Sequence, residues 1–347
     1  MAKEALYGKT LGELKEIIVG LKLPAFTSKQ LADWLYKKHV TSIEEMSNLS
    51  KKARALLDEK YEVGLTPPES YQESIDGTKK YLFKTINSQF IESAYLPESE
   101  RNTLCVSSQV GCKMGCLFCM TARQGFQKQL TTNEILNQIA SLPEREKLTN
   151  LVYMGMGEPM DNIDNVLKSL EIITSDWGYG WSPRRINVST IGVVPAMRRF
   201  IEESEAHLAI SLHSPFNEER KQLMPIENVY SAEQVIEALR DYDFGRQRRI
   251  SFEYIMFKGV NDSAEHVKGL TKLLNGIRCR INLIHFHPIP NSPLRGSERS
   301  KMEWFRDQLS NKGLNTTIRK SRGEDIYAAC GLLSTKKLIN SDTEKDY

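Results

Sequence analysis

From about Arg101 onward the sequence alternates short β-rich runs with amphipathic helical patterns, and this alternation restricts the fold more than any other feature of the 347 residues. Strand candidates are Thr103 to Gln109, Asn150 to Met154, Arg185 to Thr190, His207 to Leu212, Ile250 to Phe257 and Arg280 to Phe286. Helical spacing recurs between them near 131–141, 161–175, 194–203, 231–240 and 264–275, and once more at 298–311. Six β–α units in succession predict a parallel sheet with helices packed outside it, as an open doubly wound sheet or as a barrel, complete or partial. Ligand-binding groups then belong at the carboxyl ends of the strands.

Residues 1–66 read differently. Leu11, Leu14, Ile17, Ile18 and Leu21 recur at helical spacing, Thr27 or Ser28 is placed to cap a second helix carrying Leu31, Trp34 and Leu35, and a third starts near Ser50. Pro67-Pro68 ends the helical stretch, and from Tyr71 to Tyr95 short β-rich runs broken by Asp76-Gly77 and Asn87-Ser88 predict a small meander. The expected organisation is a helical accessory domain at 1–66, a β meander linker at 67–100, the alternating catalytic domain at 101–335 and a tail at 336–347. Hydrophobic residues at 40% and charged residues at 26% are ordinary for a soluble globular chain, and no apolar run approaches the roughly 20 residues of a membrane span. The first residues lack the apolar core of a secretory signal, so a cytoplasmic location with reduced thiols is expected. A net charge of +3 permits an acidic partner without demanding one.

Cys112, Cys116 and Cys119 form Cys-x3-Cys-x2-Cys directly after the first strand candidate. Three thiolates on a tight loop suit a [4Fe-4S] cube with one iron left for an outside ligand. A zinc site lacking its fourth ligand, or a group of buried thiols, stays open on spacing alone. Cys112-Lys-Met-Gly-Cys116-Leu-Phe-Cys119, with an aromatic before the last cysteine, resembles the signature of the radical S-adenosylmethionine (SAM) superfamily. The resemblance implies a partial (β/α)6 barrel of the α/β class. It also implies a cluster that chelates the amino and carboxylate groups of SAM and splits it to a 5′-deoxyadenosyl radical.

After the second strand candidate comes Met154-Gly-Met-Gly-Glu-Pro159. Glycines at a strand end let backbone groups approach a ligand, and an adjacent carboxylate accepts from an ammonium group. By resemblance, Gly157 and Glu158 hold the amino group of SAM. Ser189, then Ser211, Leu212 and His213, then His287 also fall at strand ends, where each has an ordinary reading as a capping or core residue. Together they resemble the family's contacts to the ribose and adenine of SAM, although an asparagine is the family's residue where His287 stands. His39, His207, His266 and His285 have no partner visible in the sequence.

Two further cysteines stand apart from the cluster, and small buried thiols are the simplest reading of both. Cys105 precedes the cluster, and Cys330 lies between a charged glycine-containing loop and Gly331, a setting for a mobile exposed thiol. The strings Thr103-Leu-Cys-Val-Ser-Ser-Gln-Val-Gly-Cys112, Gly155-Met-Gly-Glu-Pro159, Ser211-Leu-His-Ser214 and Arg322-Gly-Glu-Asp-Ile-Tyr-Ala-Ala-Cys330 resemble the dual-specificity ribosomal RNA and transfer RNA adenine-C-2 methyltransferases. Implied targets are an adenosine in the peptidyl-transferase region of 23S rRNA and the adenosine next to the anticodon in certain tRNAs. The resemblance further implies two SAM per turnover, a methyl group carried on Cys330, a transient disulfide with Cys105, and Glu92 as proton acceptor. It implies an electron donor such as flavodoxin or ferredoxin and a monomeric protein. Arg123, Lys128, Arg184, Arg185, Arg319, Lys320 and Arg322 fall on loops or segment ends expected to flank the site and meet phosphates. Competing readings are an adenine-C-8 methyltransferase, disfavoured by Pro159, a radical SAM activase of a partner protein, and a zinc-stabilised RNA-binding protein.

Overall fold

The computed structural model describes residues 3–245 and 248–335, so the tail expected from 336 lies outside the described residues. At the N-terminus, β1 (Glu4–Ala5) precedes three helices, α1 (Leu11–Gly20), α2 (Thr27–Tyr36) and α3 (Lys51–Lys60), and pairs in parallel with β2 (Tyr61–Glu62), which follows them. Thr10 caps α1 in a reciprocal box with Glu13, and Ser50 caps α3. The capping role expected of Thr27 or Ser28 is not seen. Phe26 occupies that position without a side-chain cap, and the Ser28 hydroxyl donates back to the Ala25 carbonyl at 2.8 Å.

The rest of the chain builds one large sheet. Three strands, β3 (Ser70–Glu73), β4 (Lys79–Lys84) and β5 (Phe90–Pro97), run antiparallel into β6 (Asn102–Cys105), so the meander extends the main sheet. A two-stranded ribbon follows, β7 (Gln109–Val110) with β8 (Lys128–Gln129), enclosing the short helix α4 (Met120–Gln124). Next in the chain come α5 (Thr132–Ala140), β9 (Asn150–Tyr153), α6 (Ile163–Thr174), β10 (Ile186–Thr190), α7 (Val194–Glu203) and β11 (His207–Ser211). Then follow α8 (Asn217–Leu223), α9 (Ala232–Arg240), β12 (Ile250–Met256), α10 (Ala264–Leu273), β13 (Arg280–His285), α11 (Arg299–Asn311) and β14 (Asn315–Ile318). Strand order is β14-β13-β12-β11-β10-β9-β6-β5-β4-β3, and all neighbours from β6 to β14 are parallel. Two strands depart from expectation. The first candidate stops at Cys105, because the chain turns there to start the ribbon. A seventh parallel strand, β14, escaped the reading because Asn-Thr-Thr-Ile offers a single apolar residue.

The sheet is strongly curved. Five strand steps separate β14 from β9, roughly 24 Å in a flat sheet. Arg319, just past β14, nevertheless donates to Glu253 on β12 at 3.3 Å and to the Met154 sulfur just past β9 at 3.5 Å. Such contacts require the strand ends to curl around a common interior. The curl does not close, since β14 and β3 remain unpaired edges, and a partial barrel is the result. Into this open side runs the segment after β14. The Gly323 amide donates to Asp76, Arg322 to the carbonyls of Asp76 and Pro97, Ser74 to Asp325, and the Ser334 amide to Glu92.

The N-terminal helices pack on the same core. Leu14, Ile18, Leu31, Leu35 and Leu57 are buried, and Asn133 at the start of α5 donates to the carbonyls of Tyr7 and Gly64. Gly8 makes this approach possible: at φ +89° it carries no Cβ, which would lie 2.6 Å from the Asn133 nitrogen. Among the described residues no helix is long and apolar enough to cross a membrane.

Candidate active site

The cysteine loop leaves the ribbon strand β7 and ends where Cys119 occupies the cap position of α4. Its backbone is pinned from both sides: the Leu117 amide donates to the Leu223 carbonyl at 3.0 Å, and the Met120 amide to the Gly331 carbonyl at 2.8 Å. Phe118 stands edge-on to His213 with ring centres 4.8 Å apart. Cys112 and Cys116 are buried, Cys119 is partly exposed, and all three are free thiols on the wall of one cavity. Burial pushes the Cys112 thiol up to about 12 and the Cys116 thiol well above the ordinary range, and the neighbouring thiols add to both shifts. Two buried sulfurs that resist ionisation, beside a third on the same wall, need a cationic centre to hold them as thiolates. Among the described residues no three such side chains converge on a point for a single ion. Three thiols spread around one cavity fit a cube that takes one sulfur at each of three irons.

Gly157, Glu158, Ser189, Ser211 and His213 line the same cavity, at the carboxyl ends of β9, β10 and β11. Gly157 sits at φ +98°, and a Cβ there would meet the Gln109 side chain at 2.5 Å. Glu158 is buried, its two oxygens accepting from the Met160 and Ile191 amides at 3.0 Å each. Burial raises its carboxyl to about 7, against the pull of those hydrogen bonds and of Thr190. An arriving ammonium group would favour the ionised form. His213 is buried in a left-handed backbone conformation, φ 58°. Its Nδ1 accepts from the Ile255 amide at 3.0 Å, and burial, then Arg220, lowers its pKa to about 3. The ring is therefore neutral, with its hydrogen on Nε2.

Arg220, fully buried, ties these strand ends together. It pairs with Glu227 and donates to the carbonyls of Leu212, Ile191 and Ser211 at 3.1, 2.9 and 3.2 Å. Arg220→Ala leaves Glu227 as an uncompensated buried charge, so a loss of about 3–5 kcal/mol in urea unfolding is expected. A midpoint unchanged from the parent would contradict that role.

Two of the residues grouped by sequence fall elsewhere. Leu212 turns its side chain into the main core and offers only backbone to the site. His287 lines a second cavity, with Nδ1 3.6 Å from Glu324. Cys105 lines that second cavity as well, buried and pushed up to about 12 by burial, Cys330 adding to the shift and Arg319 opposing it. Cys330, which is exposed, lies on the walls of both cavities, as does Arg319. Burial works against the Arg319 charge, but Glu253 and the two thiols more than offset it, and its pKa is raised. Glu92 lies on neither wall. Its carboxylate is buried, 3.0 Å from Lys80 and 2.9 Å from the Ser334 amide. Glu253 was not singled out in the sequence, although an acid inside the apolar run Ser-Phe-Glu-Tyr-Ile-Met is a legible signal for a buried polar role. Arg184 and Arg185, expected beside the site, immediately precede β10 and so stand at the opposite end of the parallel strands.

Comparison with known proteins adds an independent line. Residues 106–270 match the radical SAM superfamily, and residues 5–63 match the ribosomal RNA large subunit methyltransferase N-terminal domain. A probable dual-specificity RNA methyltransferase RlmN from Parabacteroides distasonis is 58% identical over 97% of this chain and 98% of its own. The dual-specificity RNA methyltransferase RlmN of Syntrophobacter fumaroxidans is 41% identical over 93% and 96%. This chain belongs to the RlmN family of dual-specificity RNA methyltransferases. A crystal structure of a radical SAM methyltransferase from Sphaerobacter thermophilus superposes with a TM-score of 0.89, covering 95% of this chain and 99% of that one at 36% identity. Membership makes the chain a radical SAM methyltransferase whose cofactors are a [4Fe-4S] cluster and SAM, and displaces the zinc-protein and activase readings.

Proposed function

We propose that this enzyme methylates carbon 2 of adenine in 23S rRNA, in the peptidyl-transferase region, and in tRNA next to the anticodon. Carbon 2 lies between two ring nitrogens and has no lone pair, so it cannot attack an electrophilic methyl group directly. When bound, the cluster and SAM supply the 5′-deoxyadenosyl radical that opens another route. Cys112, Cys116 and Cys119 would hold the cluster. Glu158 would accept from the amino group of SAM, with Gly157 admitting close backbone approach, while Ser189, Ser211 and the His213 Nε2–H face the same space. Pro159 follows Gly-Glu where alanine is expected in the carbon-8 enzymes, and by that resemblance it supports carbon 2 over carbon 8.

The observation that carries the reading is the position of Cys330. Its exposed sulfur borders the cavity of the cluster thiols on one side and that of Cys105 on the other. In this scheme the Cys330 thiolate takes a methyl group from one SAM; that methyl group would then give up a hydrogen atom to the 5′-deoxyadenosyl radical and bond through its carbon to carbon 2 of the adenine, the ring losing its carbon-2 proton and returning one electron to the cluster. The Cys105 thiolate then attacks the Cys330 sulfur, so that a disulfide forms as the carbon–sulfur bond to the product breaks. Arg319, shared by both walls, opposes the rise that burial imposes on the Cys105 thiol. Glu92 lines neither cavity, so the proton on carbon 2 would have to travel to it through an intervening group.

The Arg319, Lys320 and Arg322 segment would meet RNA phosphates at the mouth of the second cavity, and the helical residues 1–66 would give a second handhold, separate from the catalytic residues 101–335. A flavodoxin or ferredoxin would supply electrons to a monomeric, cytoplasmic enzyme. The test is mass spectrometry of the purified holoenzyme: the peptide containing Cys330 should carry one extra methyl mass, and rRNA and tRNA incubated with enzyme, SAM and reductant should yield 2-methyladenosine. An unmodified Cys330 peptide from active enzyme would refute the scheme.

A further inference from the structure

The end of the barrel opposite the cysteine loop carries a concentration of guanidinium groups, of which Arg101 also borders the cavity of Cys105 and Cys330 while Arg184, Arg185 and Arg249 do not. Arg101 precedes β6, Arg184 and Arg185 precede β10, and Arg249 precedes β12. Because these strands are parallel, the four residues meet at one rim, around a cavity of about 190 Å³ shared with His207 and Asn187. Among the described residues none of the four arginines forms an ion pair with a carboxylate, unlike Arg220 or Arg319 at the other end. Glu98, which favours the charge on Arg101, is the acid felt there.

The walls are donor-rich. His207 Nδ1 accepts from the Arg249 amide at 3.0 Å, so the neutral ring keeps its hydrogen on Nε2. Burial, then Arg249, Arg248 and Arg184, lowers the His207 pKa to about 4, which marks how positive the surroundings are. Arg185 is fixed by donating to the carbonyls of Thr149 and Leu148 while stacking on Trp181 at 4.3 Å. The Asn187 Oδ1 atom is buried without a hydrogen-bond partner, on a residue that borders the cavity. The adjoining cavity shares Arg184 and Arg249 and adds Arg278 and Arg280, extending the positive rim toward β13.

We propose that this rim is a binding site for phosphate groups, with Arg184 and Arg249 as its principal ligands and Arg101, Arg185 and His207 completing it. Arginine forks match phosphate oxygens in pairs, and like charges held together without carboxylates are relieved by an anion. The chemistry suits a short free polyphosphate or a phosphate run of the RNA substrate, and experiment separates the two.

Holoenzyme melted in pyrophosphate should gain roughly 3–5 °C over chloride of equal ionic strength at concentrations far above Kd. The Arg184→Gln/Arg249→Gln protein should lose that gain while keeping its melting temperature in chloride. If RNA supplies the phosphates, the same variant will instead bind tRNA more weakly, and the slope of log K against log salt will fall by about 1–2. Either result supports the site and names its source. Wild-type enzyme that melts identically in both salts, together with a variant whose RNA affinity and salt slope are unchanged, would overturn it. Neither readout depends on Cys330 chemistry, so the failure of one proposal leaves the other standing.

Discussion

Cys330→Ala is expected to abolish RNA methylation, a fall on the order of 10⁴-fold or more, because in the proposed scheme it removes the group that makes and breaks the covalent bond and leaves binding alone. The substitution is exposed and makes a small change in volume, so the fold should survive. Two controls distinguish a lost methyl carrier from a collapsed site. The variant should retain its iron and its brown absorbance, and it should bind substrate tRNA as the parent does. Methylated RNA at more than trace level from this variant would remove the methyl carrier from the scheme.

The second large effect is expected from Cys105→Ala. Without the Cys105 thiol nothing attacks the Cys330 sulfur, so the enzyme should stay bonded to its RNA. The measurable product is a protein band that shifts on a denaturing gel and collapses on nuclease treatment. Multiple turnover should cease while one equivalent of RNA per enzyme is captured. Cys105 is buried beside Val152 and Ala328, so alanine loses little packing. Free RNA carrying 2-methyladenosine in amounts exceeding the enzyme would show that another group resolves the adduct. The reducing agent provides a check: thiol reductant should restore repeated turnover to the parent and leave the variant trapped.

Much of this architecture could be read from residue order, for identifiable reasons. The parallel strands β9, β11 and β12 are buried on both faces and so carry largely apolar runs, such as Ile250 to Met256, that are unambiguous. The edge strand β14 alternates buried and half-exposed threonines and gives no such signal. The cysteine loop, Glu158 and the strand-end serines were legible because spacing along one chain segment places them on one rim. Contacts made across the curl were not. Arg319 could be assigned to phosphates from its position in Arg-Lys-Ser-Arg, yet its partners, Glu253 and Met154, lie 66 and 165 residues earlier. The same blindness put Arg184 and Arg185 on the wrong end, since the local sequence shows two arginines before a strand but not which rim that strand start will join.

The segment that crosses the open side of the barrel has a consequence for biogenesis. Cys330 takes its place because residues near it dock on Asp76, Ser74 and Glu92, which emerge from the ribosome long before it does. A nascent chain can therefore curl its sheet before the Cys330 sulfur reaches either cavity, while the Met120–Gly331 contact that pins the cysteine loop forms only with the late segment. On the proposed scheme chemistry switches on last, when the late segment bridges the gap, and a chain cut just before Cys330 should still build its sheet and be inert.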